Sequence, residues 1–411
     1  MFQQINNQAS FQVTAILIAL WLFTRPRIRR GPGWQFLMAL IMMASAAFVA
    51  GYSGSRVAAL GFLLALPLFM ISRWRFIVQD KLRWLAISVV LVSALLGANQ
   101  FENQRGLTSV LEKTTAINAG FSGSARLGMY TIAFDVIKQA PFLGHGIGSF
   151  VRVWQFAKPD FYAKHPDAVL PPQRVSHPHN ELIFWLVEGG AIAGIGLVAF
   201  AFSVIMTLIK LPHSRRYAYG AMLLPITLHT QVELPFYISS LHWFVFLFLL
   251  FVVMQASTRR YQLNLSTAAI NLIKLATIVG ALAAFVFLSS SMMANLEFKR
   301  YQMKQVAEGS DPLAIALHHP YFKKFATEIM MISLFNSSVR YALDDNVRLF
   351  AQWADQELNY NPNIAFYRLA VLANQYLKQD QHACIIAKKG LSIYPVDPTL
   401  KTAVQQCEVD R

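Results

Sequence analysis

Residues 175–209 read VSHPHNELIFWLVEGGAIAGIGLVAFAFSVIMTLI. From Glu181 onward the stretch runs 29 residues with only two charged side chains, Glu181 and Glu188. A bilayer-spanning helix needs about 20 such residues, so this segment predicts a membrane span. Its start is marked as well. Pro178 suits the position ahead of a helix, and Asn180 is a good N-cap. Two histidines therefore stand where the chain enters an apolar environment.

The rest of the sequence agrees. The 411 residues are 55% hydrophobic and only 14% charged, where a soluble domain carries about 25% charged residues. Eight apolar segments are read, at 10–23, 34–51, 57–72, 84–98, 181–209, 217–236, 238–255 and 269–290. The fold class expected is an all-α polytopic membrane protein of about eight transmembrane helices. The basic stretches RPRIRR, RWRFIVQDKLR, KLPHSRR and STRR alternate with loops poor in Lys and Arg. The positive-inside rule puts these four in the cytoplasm, with the long loop 99–179, both termini and the tail on the other side. An extracytoplasmic start without a leader reads like a loop between helices, so preceding spans are expected to be missing.

Charge divides the chain. Residues 1–290 hold 23 Lys+Arg against 9 Asp+Glu, and 291–411 hold 13 against 12. The basic excess belongs to the membrane part, which fits anionic lipid or an anionic substrate and not nucleic acid. Two domains are expected, a membrane domain over 1–290 and a helical extracytoplasmic tail over 291–411. In the tail, Ala354, Leu358 and Pro362 recur at a spacing of 33 as Ala387, Leu391 and Pro395. That period is close to the tetratricopeptide repeat, so the tail is read as tetratricopeptide-like, either a partner-binding surface or a cap. Cys384 and Cys407 are either a disulfide or two small core residues. Their spacing is not that of a metal site.

Candidate chemistry gathers on the outer face. Arg56 sits on the tight turn of YSGSR between two apolar helices, where it either snorkels or binds phosphate oxygens. Arg126 begins ARLGMYTIAFDVIKQAP, which predicts an amphipathic outer helix with Leu127, Tyr130, Ile132, Phe134 and Ile137 on one surface. Arg174 lies five residues before His179. His179 falls at the positive end of a long helix, an anion-favouring place, as a general base or as a plain interfacial histidine. Gly144, Gly146 and Gly148 resemble a nucleotide loop only superficially. No strand precedes them, and a tight turn against another element is the better reading. HTQVELPFY puts His229, Glu233 and Tyr237 in or near the sixth helix, where charge is costly unless used.

Together these stretches resemble the O-antigen ligase superfamily of bacterial polytopic enzymes. SARLGMYTIAFDVIKQAPFLGHGIGSF followed by HPHNELIFWLVEGGAIAGIGL looks like the family signature, and SGSR resembles its earlier arginine motif. Within the superfamily, FQQINNQAS is similar to the outer Gln-x-Asn motif of the pilin-type protein O-oligosaccharyltransferases, and HTQVELPFY to their Glu-x-Pro segment. The resemblance implies a bacterial inner-membrane enzyme whose active site and tail face the periplasm. It implies transfer of an oligosaccharide from undecaprenyl pyrophosphate to a hydroxyl acceptor, without cofactor or required metal. It implies His179 as the base and Arg56 and Arg126, with Arg174, as pyrophosphate ligands. Gln4, Asn6, His177, Asn180, Glu233 and Tyr237 are implied as substrate or acceptor contacts. The family often has Arg-Pro-His-Asn where this chain has HPHN, so His177 replaces an arginine and Arg174 is the nearby substitute. The acceptor expected is Ser or Thr of a pilin-like or other periplasmic protein, with lipid A core ligation or repeat-unit polymerisation as alternatives. A lipid-linked glycan transporter and an inactive scaffold are the readings from other classes. The chemistry fits transfer, because a sugar diphosphate has a good leaving group and needs mainly a base and cations. A metal-dependent route needs clustered outer carboxylates, and here they are scattered.

Overall fold

The computed structural model describes residues 4–100, 121–168, 170–171, 174–255, 263–304 and 312–409. Residues 101–120 of the long loop and the STRR stretch lie outside the described residues. The chain divides into two compact units, Met1–Arg259 and Arg260–Arg411. Among the described residues the secondary structure is helical throughout, without a strand.

The first unit is built on α1 (Ile5–Phe23), α2 (Gly33–Ser53), α3 (Arg56–Gln79), α4 (Lys81–Gly97), α5 (Phe121–Gln139), α6 (Glu181–Lys210), α7 (His213–His229) and α8 (Ser240–Gln255). α1 is the hub, packed on α2, α3 and α7, with Val13, Ile16, Leu17 and Leu20 buried along it. The neighbouring helices turn bulky apolar side chains outward, among them Leu63, Ile71, Val198 and Phe251. Apolar surface of that extent marks lipid contact. Among the described residues, four helices are long and apolar enough to cross a membrane: α2, α3, α6 and α9 (Thr267–Gln302) of the second unit. The other helices matching expected spans are shorter or more polar.

Several expected boundaries shift. FQQINNQAS is helical from Ile5 onward and not a loop, because α1 starts there. Its polar side chains Asn7, Ser10 and Thr14 recur every three to four residues and turn into the bundle, where all three are buried. The sixth segment stops at His229, so Glu233 and Tyr237 lie beyond the helix. The backbone after His229 is engaged instead by the start of α6, with Glu181 N–H donating to Thr230 O (2.9 Å). The eighth segment continues without a break to Gln302, since no proline interrupts it. In α5 the buried face carries Met129, Ile132, Ala133 and Val136, whereas Leu127 and Phe134 are exposed. That face meets α6, Trp154 and Phe161.

α6 is kinked at Gly190, whose φ of 59° and ψ of −156° only glycine tolerates. The break frees backbone groups, and the glycine turn after α5 takes them up. His145 and Gly146 N–H donate to Val187 and Glu188 O (both 2.9 Å), and Ala191 N–H donates to Pro141 O (2.8 Å). A Cβ on Gly144 would stand 2.5 Å from Glu188 backbone, and one on Gly190 2.4 Å from Phe142 O. Gly144 and Gly190 thus form a close-packed joint, in keeping with the tight turn the sequence suggests, while Gly146 and Gly148 serve the turn by their positive φ alone.

In the second unit, α10 (Lys323–Tyr341), α11 (Asp344–Leu358), α12 (Ile364–Tyr376), α13 (Asp380–Ile393) and α14 (Pro398–Val409) pack each on the next. Cys384 and Cys407 form a disulfide joining α13 to α14, with Cα atoms 5.9 Å apart. Of the two readings of this pair, the structure takes the disulfide.

Candidate functional site

His179 is set by its backbone first. Its φ is 54°, left-handed for a residue with a side chain, and such conformations persist where the surroundings over-determine them. Here the surroundings are explicit. Asn180 caps α6 by accepting from Ile183 N–H (2.9 Å), and its Nδ2 donates to Gln231 O (3.0 Å). Both ends of that carboxamide are engaged, so Asn180 clamps the start of α6 to the segment after α7. The clamp sets His179 against Glu233.

His179 Nδ1 lies 3.0 Å from both Glu233 oxygens. His177 Nε2 stands 3.5 Å from Glu233 Oε1, and the His179 N–H donates to His177 Nδ1 (3.3 Å). The two rings meet edge to face, 4.4 Å between centroids. Glu233 is buried. Burial alone would raise its carboxyl, but the hydrogen bond and charge of His179, with His177 and the Leu234 N–H, hold it below the usual carboxylate range. Burial, followed by the charge of His179, lowers His177, while Glu233 opposes them.

An ionised carboxylate only accepts, so the His179 proton belongs on Nδ1 and the lone pair on Nε2. That is the arrangement of an oriented base. The ligand-capable atoms of His177, His179 and Glu233 also lie within 4.8 Å of one another, a donor set that could hold a cation. The hydrogen bonds oppose this. His177 Nδ1 accepts, which puts its proton on Nε2 facing Glu233, and a cation would need both facing nitrogens bare.

The expected arginines differ in position. Ser72 Oγ donates to Ser214 O (2.6 Å) and Gly61 packs on Pro225. These two contacts fix an antiparallel register of α3 against α7 that sets Arg56 level with Thr230, three residues from Glu233. Arg126 and Glu233 both act on the phenol of Tyr130, which burial raises first. Arg126 lies one turn along α5 from Tyr130. Arg174 is exposed on the connecting loop, ahead of the two histidines. Gln4 holds the N-cap position of α1 without a side-chain cap hydrogen bond, its Oε1 buried, while Asn6 is exposed and its neighbour Asn7 is fully buried. Tyr237, on the single turn Pro235–Ile238, packs edge-on against Phe184 (5.5 Å). Burial and then Glu181 and Glu188 push its phenol up to about 12.

Sequence reading missed a second polar cluster beneath the first. Ser10 Oγ lies 2.6 Å from His229 Nδ1 and 3.0 Å from His242 Nε2, all three fully buried. The cluster pins α1 to α7 and α8 at the helix end from which Glu233 hangs. Its signal was the Asn7, Ser10, Thr14 spacing, which puts three polar side chains on one face at the start of α1.

The O-antigen ligase family matches residues 38–198, which include Arg56, Arg126 and both histidines. The chain belongs to the O-antigen ligase superfamily. The C-terminal part of the virulence factor membrane-bound polymerase family matches residues 217–407, from α7 through the tail. No curated protein and no solved structure matches the chain. The superfamily makes this a membrane protein of the ligase and polymerase type, concerned with glycosyl transfer between lipid-linked donors and their acceptors.

Proposed function

We propose that the chain transfers an oligosaccharide from undecaprenyl pyrophosphate to a hydroxyl acceptor on the periplasmic side of the bacterial inner membrane. The observation that carries this reading is the His179–Glu233 pair at the N-terminus of α6. His179 Nε2 accepts the proton of the acceptor hydroxyl as its oxygen attacks the anomeric carbon. The bond from that carbon to the diphosphate oxygen breaks, and its electron pair leaves with the diphosphate. Arg56 and Arg126 bind the diphosphate oxygens and match the charge that develops there. His177 and Glu233 hold the imidazole in its proton-accepting tautomer.

The membrane domain crosses with eight helices, the four long ones plus α1, α4, α7 and α8. The disulfide supports a tail on the oxidising side of the membrane. The acceptor is Ser or Thr of a pilin-like protein, and the tail, read as tetratricopeptide-like, presents it. The polymerase-family match across α7 and the tail supports treating these as one functional half with Glu233.

The test reconstitutes the full chain with a polyprenyl-diphosphate glycan and offers a pilin-like protein and lipid A core in separate reactions. Glycan appearing on the protein is the expected result. Glycan appearing on lipid A core alone overturns the protein acceptor and leaves ligation.

A further inference from the structure

The second unit begins with α9, whose 36 residues run from Thr267 to Gln302 in one piece. Between Lys274 and Glu297 lie 22 residues without a charge. At 1.5 Å per residue they extend about 33 Å, close to the thickness of a bilayer's hydrocarbon core. The membrane boundary on the tail side therefore falls in the last turns before Glu297. If the shorter apolar run ending at residue 290 is taken instead, the boundary moves only to Ser291.

The tail folds back onto that part of α9. Glu297 accepts from Ile315 and Ala316 N–H (3.1 and 2.9 Å) and fastens the helix Ala314–His318 to it. Buried His319 continues downward. Its Nδ1 accepts from Tyr321 N–H (3.2 Å), leaving Nε2 to donate to Ser291 Oγ (3.1 Å). Its ring lies 5.2 Å from that of Phe287, inside the apolar run. The corner His319–Phe325, with sequence HPYFKKF, is thus level with the end of the span. Tyr321 is 75% exposed and Phe325 50%; Lys323 is exposed, whereas Lys324 pairs with Glu357.

We infer that the corner His319–Phe325 is a membrane-surface contact that seats the tail in the phospholipid headgroups of the leaflet on its own side. The headgroup layer is where amphipathic tyrosine and snorkelling lysine are favoured together. Tyr321 buries its ring beside the acyl boundary with its hydroxyl toward water, and Lys323 meets lipid phosphate. Glu297 and Ser291 fasten this corner to α9 itself, so the contact fixes the tail's height above the bilayer.

The experiment places nitroxide labels on the full chain in phosphatidylethanolamine–phosphatidylglycerol nanodiscs, at Tyr321→Cys, Phe325→Cys and, as a water-exposed reference, Ile385→Cys. Among the described residues both native cysteines are held in the disulfide, so the introduced thiol takes the label. Collision with oxygen, which concentrates in lipid, is compared with collision with an aqueous nickel chelate. The labels at 321 and 325 should favour oxygen several-fold more than the label at 385. Equal ratios at all three positions would overturn the inference. Exclusion of both reagents at 321 and 325 would overturn it too, because protein and not lipid would then cover the corner.

Discussion

Glu233 decides how His179 behaves. The carboxylate is buried and touches both histidines, so its loss removes charge and orientation together. Glu233→Gln should slow transfer by up to about 10²-fold, less than loss of the base itself, in a steady-state assay with saturating donor; an unchanged rate would contradict the orienting role. The same contacts make the site acid-sensitive. His177 is lowered in the folded state, so the unfolded chain takes up that proton first, from about pH 6.5. Its contribution to stability is present above that pH and lost as pH falls. Glu233, also lowered, adds stability above about pH 4.3 that is lost at still lower pH. Thermal midpoints in nanodiscs should therefore drop on acidification, and His177→Gln should flatten the upper part of that drop. An identical slope in the variant would contradict it. The positions of His179 ahead of the α6 cap and of Arg56 at the start of α3 were legible because their surroundings are distinctive in sequence. The partnership of His177 with Glu233 was not, because 55 residues separate them and nothing local signals the loop that joins them.

Among the elements, the kink in α6 matters most. It divides a short segment, ahead of which the histidines stand, from the 20 residues that follow Gly190, about 30 Å of helix and enough to span. Gly190→Ala puts a Cβ 2.4 Å from Phe142 O at a backbone angle that alanine resists. It should cost folded protein, read as lower yield and a reduced thermal midpoint by several degrees, with residual transfer falling in step. Normal yield and midpoint would contradict the joint. The sequence suggested that the glycines after α5 make a tight turn. That the turn feeds its N–H groups to carbonyls freed by Gly190 could not be read, since a hydrophobic run does not show where its own hydrogen bonds break. The start of α1 was misjudged for a related reason: Asn7 looks like a loop residue until Ser10, one turn on, is placed opposite His229 and His242.

Across the whole molecule, composition alone pointed to a membrane protein, and the fall in basic excess suggested a separate tail from residue 291, whereas the compact units divide between Arg259 and Arg260. The disulfide was left open because two cysteines 23 apart are equally compatible with a helix core. Its removal should lower the stability of the tail by about 2–4 kcal/mol. Cys384→Ser would then unfold at lower temperature, and a reductant should reproduce the effect in the parent chain but add nothing to the variant. What remains is whether the histidine pair is the machinery. The most direct measurement is single-turnover transfer from a polyprenyl-diphosphate glycan, comparing the parent chain with His179→Ala, with EDTA present throughout. Transfer by the parent and a loss of about 10²–10⁴-fold in the variant is the predicted result. Equal rates for the two would make His179 only the residue ahead of a helix cap and contradict the mechanism.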